Sequence, residues 1–458
     1  MMIDINNSDT ICAIATATGG AIGIIRVSGP DAIGITDAIF SRNLLDVPAN
    51  TVNYGNIIDA SGQVVDEVLV SVFRCPHSYT GEDSTEISCH GSAYILSTVL
   101  RLLIDAGCRQ AQSGEFTRRA FVNGKLDLSQ AEAVADLISS TNEATHRIAL
   151  GQLRGNITTS LSLLRDQLLK MTSLLELELD FSDHEDLQFA DRSDLRQLAV
   201  QIDSHIVRMM DSFTSGQAIK KGIPVVIVGK TNVGKSTLLN CLLGEERAIV
   251  SDVHGTTRDV IEDAIDICGV TFRFIDTAGM RDTTDEVERI GITLAYRKLE
   301  EAAIVLWVVD EMPDAEDIRQ MLERCSDRKL IVVNNKTDKN DFVSSLQSAL
   351  VTTSVVGISA RSGENVTRLR NIIYEAANIP SISANDVIVT SSRHYDALRR
   401  GHESMSRTIE GIDLGLSGDL LSEDLHLCLD AMAEITGRGI INSSEVLNNI
   451  FSHFCIGK

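Results

Sequence analysis

Residues Val225 to Thr237 read V-V-I-V-G-K-T-N-V-G-K-S-T, and this stretch decides the fold of the central part of the chain. Its four β-branched residues at the start predict a buried strand. Gly229 and Gly234-Lys235-Ser236 then complete G-x-x-x-x-G-K-S, the pattern of a phosphate-binding loop. The glycines let backbone N–H groups surround a triphosphate, and the following helix turns its N-terminus to the same anion. The lysine can then reach the outer phosphates, and the Ser236 hydroxyl is placed to bind Mg²⁺.

Three further motifs follow predicted strands in the order that a GTP-binding domain requires. Asp276-Thr277-Ala278-Gly279 comes after the strand-like Thr271 to Ile275 and supplies a second carboxylate near the metal. Asn335-Lys336-Thr337-Asp338 comes after the apolar run Leu330 to Val333, and its aspartate can accept two hydrogen bonds from a guanine edge. Ser359-Ala360-Arg361 completes the set. Because the order and the placement agree, the sequence predicts a GTP-binding domain.

Composition is typical of a soluble protein of two to four domains, since 458 residues exceed a single hydrophobic core. No apolar run approaches the ~18 residues of a membrane span, and the N-terminus lacks a secretory pattern, so we expect a cytoplasmic protein without a membrane partner. The nine cysteines show no metal-binding spacing, which agrees with a reducing compartment. The net charge of −23 argues against broad, charge-driven binding of nucleic acid. Any RNA contact should therefore be local or shared with a partner.

The first part of the chain, residues 1–127, is predicted to be an N-terminal α+β domain. A helix is expected over Ala93 to Ala106, where apolar residues recur at helical spacing and Gly107 marks the end. Strand-like apolar runs precede and interrupt it. They are Thr10 to Ala17, Ile22 to Ser28, Val64 to Phe73 and Thr85 to Cys89.

The remainder predicts a multidomain chain in which an α/β P-loop domain of the Ras-like type, residues 220–379, is inserted into a helical domain. Residues 128–219 and 380–458 form that discontinuous helical domain, because their leucines recur three and four residues apart. A capping pattern at Asn442 predicts a last helix that ends near Phe454. Insertion is tolerated where the two ends of the inserted domain lie close together.

The hydrolytic machinery is less clear from the residues themselves. Small signalling GTPases orient the attacking water with a glutamine after D-x-x-G, but Met280 stands there and cannot do so. Several carboxylates follow Met280 and are candidates for orienting the water, although composition alone favours an ordinary solvated side chain for each of them. Gly255-Thr256-Thr257 suits a switch that completes Mg²⁺ coordination. The amide oxygen of Asn232 either faces a cation beside the phosphates, replacing an arginine finger, or is ordinary loop surface.

Taken together these residues closely resemble the MnmE (TrmE) family of tRNA-modification GTPases, over essentially the whole chain. The resemblance rests on Asn232 within the phosphate loop, on G-T-T-R-D from Gly255 and on D-E-V-E-R-I-G from Asp285. It extends to motifs of the first domain and to the C-terminal C-x-G-K. Those first-domain motifs are A-I-G-I-I-R-V-S-G, Y-T-G-E-D and N-G-K-L-D-L-S-Q-A-E-A-V.

The resemblance implies roles for individual residues of the GTP-binding domain. Glu288 would orient the attacking water. K⁺ would be bound by Asn232, Ser251, Val253 and Thr256, and Mg²⁺ by Ser236 and Thr257. GTP would contact the phosphate loop, the switch and the three later motifs. These residues are Asn232, Val233, Gly234, Lys235, Ser236, Thr237, Ser251, Asp252, Val253, His254, Gly255, Thr256, Thr257, Asp276, Thr277, Ala278, Gly279, Asn335, Lys336, Asp338, Ser359, Ala360 and Arg361.

The first domain would be a tetrahydrofolate-binding and dimerisation domain. Arg26, Glu86, Lys125 and Lys458 would bind a 5-formyl- or methylene-tetrahydrofolate that carries a one-carbon unit. Gly457 and Lys458 do not fit a prenylation signal, so Cys455 is either an inert thiol of a disordered tail or a functional one. The nearby Lys458 and the family ending C-x-G-K favour the second interpretation, and Cys455 is taken as a functional, catalytic-type residue of unspecified role.

The resemblance also implies partners. A homodimer would join an MnmG-like flavoprotein, which carries FAD, in a heterotetramer that installs a carboxymethylaminomethyl-type group at C5 of the wobble uridine of certain tRNAs. Local basic groups are candidates for contact with tRNA, although solvated surface is the simpler interpretation. They are Arg118, Arg119, Arg399 and Arg400.

A second function class stays open at this point: a regulatory or ribosome-assembly GTPase that performs no covalent chemistry on RNA. Such a switch needs neither the first domain nor the C-terminal cysteine, and those two features distinguish the hypotheses.

Overall fold

The computed structural model describes residues 9–180, 192–244, 263–275, 299, 301–379, 386–437 and 457. The chain divides into two compact units. The first unit comprises Met1–Ala135, Leu153–Thr172 and Ser422–Lys458, and the second comprises Asp136–Gln152 and Ser173–Leu421. Parts of the predicted helical domain therefore fall in each unit. The boundaries expected after residues 127, 219 and 379 stay predictions.

The first unit is built on a sheet in which six of the described strands are ordered β3-β4-β5-β2-β1-β6. Its pairs are antiparallel except β1 and β6, which run parallel. The strands are β1 Ile11–Ile14, β2 Ile22–Ser28, β3 Thr51–Ile58, β4 Val64–Phe73, β5 Ser84–His90 and β6 Arg109–Gln110. The predicted runs correspond to β1, β2, β4 and β5. Strands β3 and β6 were not predicted.

Alternation along the strands decides which face of this sheet is covered. In β4, Val68, Val70 and Val72 are buried while Leu69 is half exposed, as expected of a strand with one covered face. Helices α1 and α2 cover the buried face, with Leu96 and other α2 side chains in the same core cluster as the valines. These helices are α1 Ala32–Ala38 and α2 Ala93–Asp105. On the opposite face Phe116 packs against Ile11 and Ala13 of β1. The neighbouring strands β2 and β5 carry side chains of a candidate ligand site on that face.

Helices make up most of the described residues on both sides of the GTP-binding segment, as the leucine spacing predicts for residues 128–219 and 380–458. They are α3 Glu115–Val122, α4 Leu128–Ser139, α5 Glu143–Leu153, α6 Asn156–Asp180, α7 Arg192–Lys221, α12 Ser392–Asp413 and α13 Gly418–Thr436. Among the residues that the structure describes, no helix is both long and apolar enough to cross a membrane. The last predicted helix, from Asn442 to Phe454, lies outside the described residues.

The second unit contains the sheet of the predicted GTP-binding domain. Its six described strands are ordered β12-β11-β10-β7-β9-β8, and all pairs are parallel except the hairpin of β8 and β9. The strands are β7 Ile223–Val228, β8 Asp263–Ile267, β9 Val270–Phe274, β10 Ile304–Val309, β11 Lys329–Asn334 and β12 Ser354–Gly357. The described helices around it are α8 Lys235–Leu243, α9 Ala315–Arg324, α10 Val343–Ala349 and α11 Val366–Ala376.

Burial explains why these strands are central. Every residue of β10 is buried, and β7 is nearly so, which is typical of parallel strands covered on both faces. In the register, Val228 at the end of β7 lies beside Trp307, and Val309 at the end of β10 lies beside Asn334. The loops that leave the carboxyl ends of these strands therefore meet at one edge, where ligands of open α/β sheets bind.

Helix α5 contacts the β8–β9 hairpin of this sheet through its N-terminal turn. The Ala144 N–H donates to the Gly269 carbonyl at 3.0 Å, and the Asn142 amide donates to the Thr271 hydroxyl at 2.7 Å. The hairpin lies in sequence between the switch motif and D-T-A-G, so α5 contacts the segment that joins them.

Candidate functional site

The phosphate-binding loop begins where β7 ends and finishes at the first turn of α8. Its two glycines are required by close contacts rather than by pattern alone. A Cβ at Gly229 would lie 2.2 Å from the Val308 carbonyl oxygen, and one at Gly234 would lie 2.3 Å from Nδ2 of Asn335. Gly234 also has φ +97°, a left-handed conformation that favours glycine. The loop can follow this path only with glycine at both positions.

Lys235 directs its ammonium group into this loop. Its Nζ donates to the carbonyls of Gly229 and Lys230, at 2.8 and 2.7 Å. The residue is buried, and burial lowers the pKa of its ammonium group below the ordinary value of 10.5. A buried cation held by neutral carbonyls is stabilised further by an anion. The arrangement therefore favours a polyphosphate beside the N-terminus of α8, where Ser236 occupies the second helical position and is exposed.

The motifs at the ends of β11 and β12 are joined through Asn335. Its amide Nδ2 donates to the Val233 carbonyl of the phosphate loop at 2.7 Å, and its Oδ1 accepts from the Ala360 N–H at 3.0 Å. The Ser359 hydroxyl donates to Oδ1 of Asp338 at 2.9 Å. Asp338 is exposed, so its carboxylate faces the open side of the loop cluster. These contacts form a frame in which a carboxylate lies ready for the N–H donors of a base.

Lys336 extends this frame back to the phosphate loop. Its Nζ donates to the carbonyl of Asn232 and to Oδ2 of Asp310, each at 2.7 Å. Asp310 follows the last residue of β10 and was not among the residues predicted from sequence. Aspartate after an apolar strand is a common pattern, so no motif distinguishes Asp310 from other surface carboxylates.

Several predicted residues of this site lie outside the described residues. They are Ser251, Asp252, Val253, His254, Gly255, Thr256, Thr257, Asp276, Thr277, Ala278, Gly279 and Glu288. Among the residues that are described, no group of three or more His, Cys, Asp and Glu side chains is arranged to hold a metal ion. Candidate oxygen ligands within the described part are therefore those of Asn232 and Ser236.

A second group of predicted residues lies on the open face of the first sheet. Arg26 of β2 and Glu86 of β5 are register partners, and their Nη2 and Oε1 atoms lie 2.8 Å apart. The Arg26 guanidinium carbon lies 5.4 Å from the ring centre of Tyr79 and 5.6 Å from that of Phe116. Both distances are within the range of cation–π attraction. A planar cation, a carboxylate and two aromatic rings are thus brought together.

Lys125 lies next to the same group and contacts the turn of residues 75–82, called the Tyr79 turn below. Its Nζ donates to the Pro76 carbonyl at 2.9 Å, and its Cγ would lie 3.2 Å from a Cβ at Gly81. Tyr79 is fixed by a hydrogen bond of 2.9 Å between its hydroxyl and that of Thr117. The sequence had indicated the Tyr79 turn as a family motif without a role. Phe116 gave no sequence signal, because its position depends on tertiary contacts.

The C-terminus reaches this group at Gly457. Arg26 Nη1 lies 3.4 Å from the Gly457 carbonyl oxygen and donates to it. Gly457 has φ +95°, and a Cβ there would lie 2.5 Å from the Ile14 carbonyl oxygen and 3.0 Å from the Ala15 Cα. The neighbouring Lys458 and Cys455 lie outside the described residues. The glycine of C-x-G-K is therefore seated against the end of β1, beside Arg26.

A network of ion pairs centred on the buried Arg119 includes Glu82 of the Tyr79 turn. Arg119, whose side chain is 3% exposed, pairs with Asp9 at 2.6 Å, and with Glu115 and Glu82 at 3.3 Å each. Arg109 pairs with Glu115 at 2.5 Å. Burial raises the pKa of Glu115, but hydrogen bonds from Arg109 and the Gln112 N–H, with the charges of Arg109 and Arg119, outweigh it and hold that pKa below 4.5.

This network corrects one of the expectations about tRNA. The prediction that Arg119 is surface available to RNA is wrong, because its side chain is buried and ion-paired. Arg118 is also partly covered and lies 3.6 Å from Glu115. Arg399 is half exposed but pairs with Asp396 and Glu403. Pairing of these arginines agrees with the acidic balance of the whole chain.

Two protein-family models together match nearly the whole chain. A family described as "GTP-binding protein TrmE N-terminus" matches residues 10–125, and one described as "MnmE helical domain" matches residues 128–455. The tRNA modification GTPase MnmE of Bacteroides thetaiotaomicron is 53% identical over 99% of this chain and 100% of its own length. The protein of the same name from Bacteroides fragilis is 52% identical over 99% of this chain and 100% of its own length. A solved structure of Aquifex aeolicus Era bound to GDP and AlF4⁻ is 29% identical, covering 40% of this chain and 66% of that one, with a TM-score of 0.28.

Proposed function

This chain belongs to the MnmE family of tRNA-modification GTPases, and we propose that GTP binds at the loop after β7 with its guanine against Asp338. The observation that carries this proposal is the frame around Asn335. It ties the phosphate loop, the Asp338 motif and the Ser359 motif together through hydrogen bonds of 2.7 to 3.0 Å. In this frame the base-reading carboxylate and the phosphate-binding backbone are held at a fixed spacing. A guanine satisfies that carboxylate with two N–H donors, and adenine does not.

Hydrolysis is proposed to depend on Mg²⁺, K⁺ and Glu288. Mg²⁺ would be held by Ser236 and Thr257, and K⁺ by Asn232, Ser251, Val253 and Thr256. Bound cations neutralise charge that develops on the phosphates, the task of an arginine finger in other GTPases. The exposed Asn232 at the phosphate loop supports its assignment. Glu288 would orient the attacking water, since Met280 cannot.

The group on the first sheet is proposed to bind a 5-formyl- or methylene-tetrahydrofolate through Arg26, Glu86, Lys125 and Lys458. A flat ring system with amide and amine edges fits a site with aromatic rings, a carboxylate and a planar cation. The exposed ammonium of Lys125 suits the anionic tail of such a molecule. When bound, the carrier would supply a one-carbon unit. Cys455, two residues before Gly457 in the sequence, is proposed to be a functional residue of unspecified role.

The modification of tRNA is proposed to be carried out by this protein together with a partner protein. A homodimer formed through the first unit would assemble with an MnmG-like flavoprotein carrying FAD into a cytoplasmic heterotetramer. That assembly would add a carboxymethylaminomethyl-type group at C5 of the wobble uridine of certain tRNAs. The net charge of −23 supports a partner that carries most of the RNA-binding surface. We also propose domains at 1–127, at 128–219 with 380–458, and at 220–379.

A regulatory GTPase without RNA chemistry is the less economical alternative, because it leaves the Arg26 group unexplained. Two measurements test the proposal. Single-turnover GTP hydrolysis is compared in matched KCl and NaCl, with Asn232→Ala as the variant that should lose the difference between the salts. Nucleosides of tRNA from cells lacking the protein are then compared with those from wild-type cells. Equal rates in the two salts would refute the K⁺ site, and unchanged wobble uridines would refute the RNA function.

A further inference from the structure

Asp310 has a place in the nucleotide site that no motif assigns to it. The Lys336 ammonium lies between the Asp310 carboxylate and the Asn232 carbonyl, at 2.7 Å from each. The side chains of Lys336 and Asp310 are 34% and 27% exposed, so the pair is partly shielded from water. One ammonium group thus connects the carboxyl end of β10 with the phosphate loop.

The backbone at both ends of the lysine contact is strained. Asn232 has φ +63° and Lys336 has φ +61°, left-handed values that are unusual for residues other than glycine. Such conformations persist only where surrounding contacts hold them. The hydrogen bond from Lys336 to the Asn232 carbonyl is a contact of this kind, since it joins the two strained residues directly.

Lysine alone is a poor clamp, because its ammonium group sits on a flexible stem and its three donors rotate freely. A carboxylate on the far side of the ammonium limits that freedom. We propose that Asp310 is a positioning residue for the nucleotide site. It directs Lys336 onto the Asn232 carbonyl and thereby fixes the loop residue whose side chain is proposed to bind K⁺. The K⁺ part of this inference rests on the proposed function, whereas the effect on the nucleotide does not.

A second ion pair on the same loop provides a matched control. Lys230 Nζ lies 3.0 Å from the Asp317 carboxylate, with the lysine 67% exposed. Removing the Asp317 carboxylate changes the charge near the loop by the same amount as removing that of Asp310. It does so at a lysine whose ammonium is largely in water, where ion pairs contribute little.

The experiment uses the full chain with Asp310→Ala, Asp310→Asn and Asp317→Ala. Dissociation of a fluorescent GDP analogue is measured in stopped flow, and GTP turnover is measured across a K⁺ titration. For Asp310→Ala we expect nucleotide release to accelerate about two- to fivefold, the effect of losing one partly exposed ion pair. The half-saturating K⁺ concentration for GTP turnover should rise by a similar factor. Asp310→Asn should recover most of both effects, because its amide oxygen still accepts from the lysine.

Asp317→Ala should behave as wild type in both measurements, which separates the geometry of Lys336 from a general change in charge. The inference is overturned if Asp310→Ala and Asp317→Ala release the GDP analogue at the same rate and have the same half-saturating K⁺ concentration. A loss of turnover at saturating K⁺ with unchanged release would overturn it too, since a positioning residue moves binding first. If wild type is equally active in K⁺ and Na⁺, the proposed K⁺ site is wrong, and the release rates alone decide the role of Asp310.

Discussion

Substituting Gly457 by alanine tests how the C-terminus is seated on the first sheet. The glycine has φ +95°, and an added Cβ would lie 2.5 Å from the Ile14 carbonyl oxygen. The nearest atoms belong to backbone of β1 and the residue after it, which cannot move aside as a flexible side chain would. The added methyl group therefore has to displace either the strand or the tail. Since β1 pairs with strands on both sides, the tail is the part that should move.

The magnitude follows from two contributions. A left-handed backbone conformation costs an L-residue about 1–2 kcal/mol, and forcing a methyl group into packed atoms costs about 1–3 kcal/mol. Their sum, about 2–5 kcal/mol, lowers the ratio of docked to undocked tail by more than ~30-fold, since about 1.4 kcal/mol is tenfold. Undocking removes the Gly457 carbonyl from Arg26, a residue proposed to bind the folate.

The assay is calorimetric titration of the full chain with 5-formyl-tetrahydrofolate. Gly457→Ala should bind at least tenfold more weakly than wild type, whereas GTP hydrolysis should be unaffected. The matched control is Gly62→Ala in the same unit, because Gly62 has φ +81° but no atom within 4 Å of its added Cβ. Gly62→Ala has the same unfavourable left-handed backbone conformation but does not displace the C-terminal residues. Its affinity for folate should therefore equal that of the wild type. If Gly457→Ala and Gly62→Ala bind 5-formyl-tetrahydrofolate with the same affinity, the reasoning is refuted.

Three further predictions concern single side chains. Asp338→Asn should lower the affinity for GTP at least tenfold and raise the affinity for xanthosine triphosphate. The reason is that the new amide nitrogen can donate to the carbonyl that xanthine has in place of the guanine amino group. If GTP and xanthosine triphosphate competed equally for the wild-type site, the prediction would be contradicted. Glu288→Ala should reduce single-turnover hydrolysis at least tenfold with GTP affinity within twofold, since a group that orients water acts on the chemical step; a matching loss of affinity would argue against it. Glu115→Gln should cost about 3 kcal/mol of unfolding free energy at pH 7, since it breaks a buried ion pair. Because the folded pKa of Glu115 lies below 4.5, its contribution is present above that pH and is lost as the pH falls through the folded pKa. Urea unfolding at pH 7 and pH 3.5 should thus show a smaller difference between variant and wild type at the lower pH.

The central sheet and its loops were predictable because local sequence dictates them. The apolar runs of β7, β9 and β11, together with the glycines that follow β7, predict strands followed by tight turns, whatever the rest of the chain does. The same reasoning missed β3, Thr51–Ile58, because asparagines and a glycine weaken its strand pattern. What holds that segment in the sheet is its antiparallel pairing with β4, which no local property of the sequence reveals.

Side chains were harder to predict where their environment is set by distant residues. Arg119 lies in a helix with another arginine beside it, a pattern that indicates surface. Its burial depends on Asp9, about 110 positions away in the chain, and on Glu82 in the Tyr79 turn. Asp310 was missed for a similar reason, since its importance comes from Lys336, a residue of the next strand's loop. Sequence patterns identify the groups that can ionise, but the partner of each group is a property of the fold.

The two candidate sites differ in what they use to recognise a ligand, and this difference explains how well each was predicted. The nucleotide site relies on backbone N–H groups and on glycines that let strands approach, so a short contiguous motif contains most of it. The site on the first sheet relies on side chains from β2, β5 and the turn before β5, together with the backbone of Gly457 at the other end of the chain. Its Arg26 charge is already balanced by Glu86, so selectivity there should come from the aromatic rings and from donors and acceptors at fixed positions rather than from net charge. A ligand that is planar, with both donors and acceptors at its edge, satisfies that arrangement better than a simple anion does. This is why a change in the position of Gly457, which alters no charge, is expected to weaken binding there.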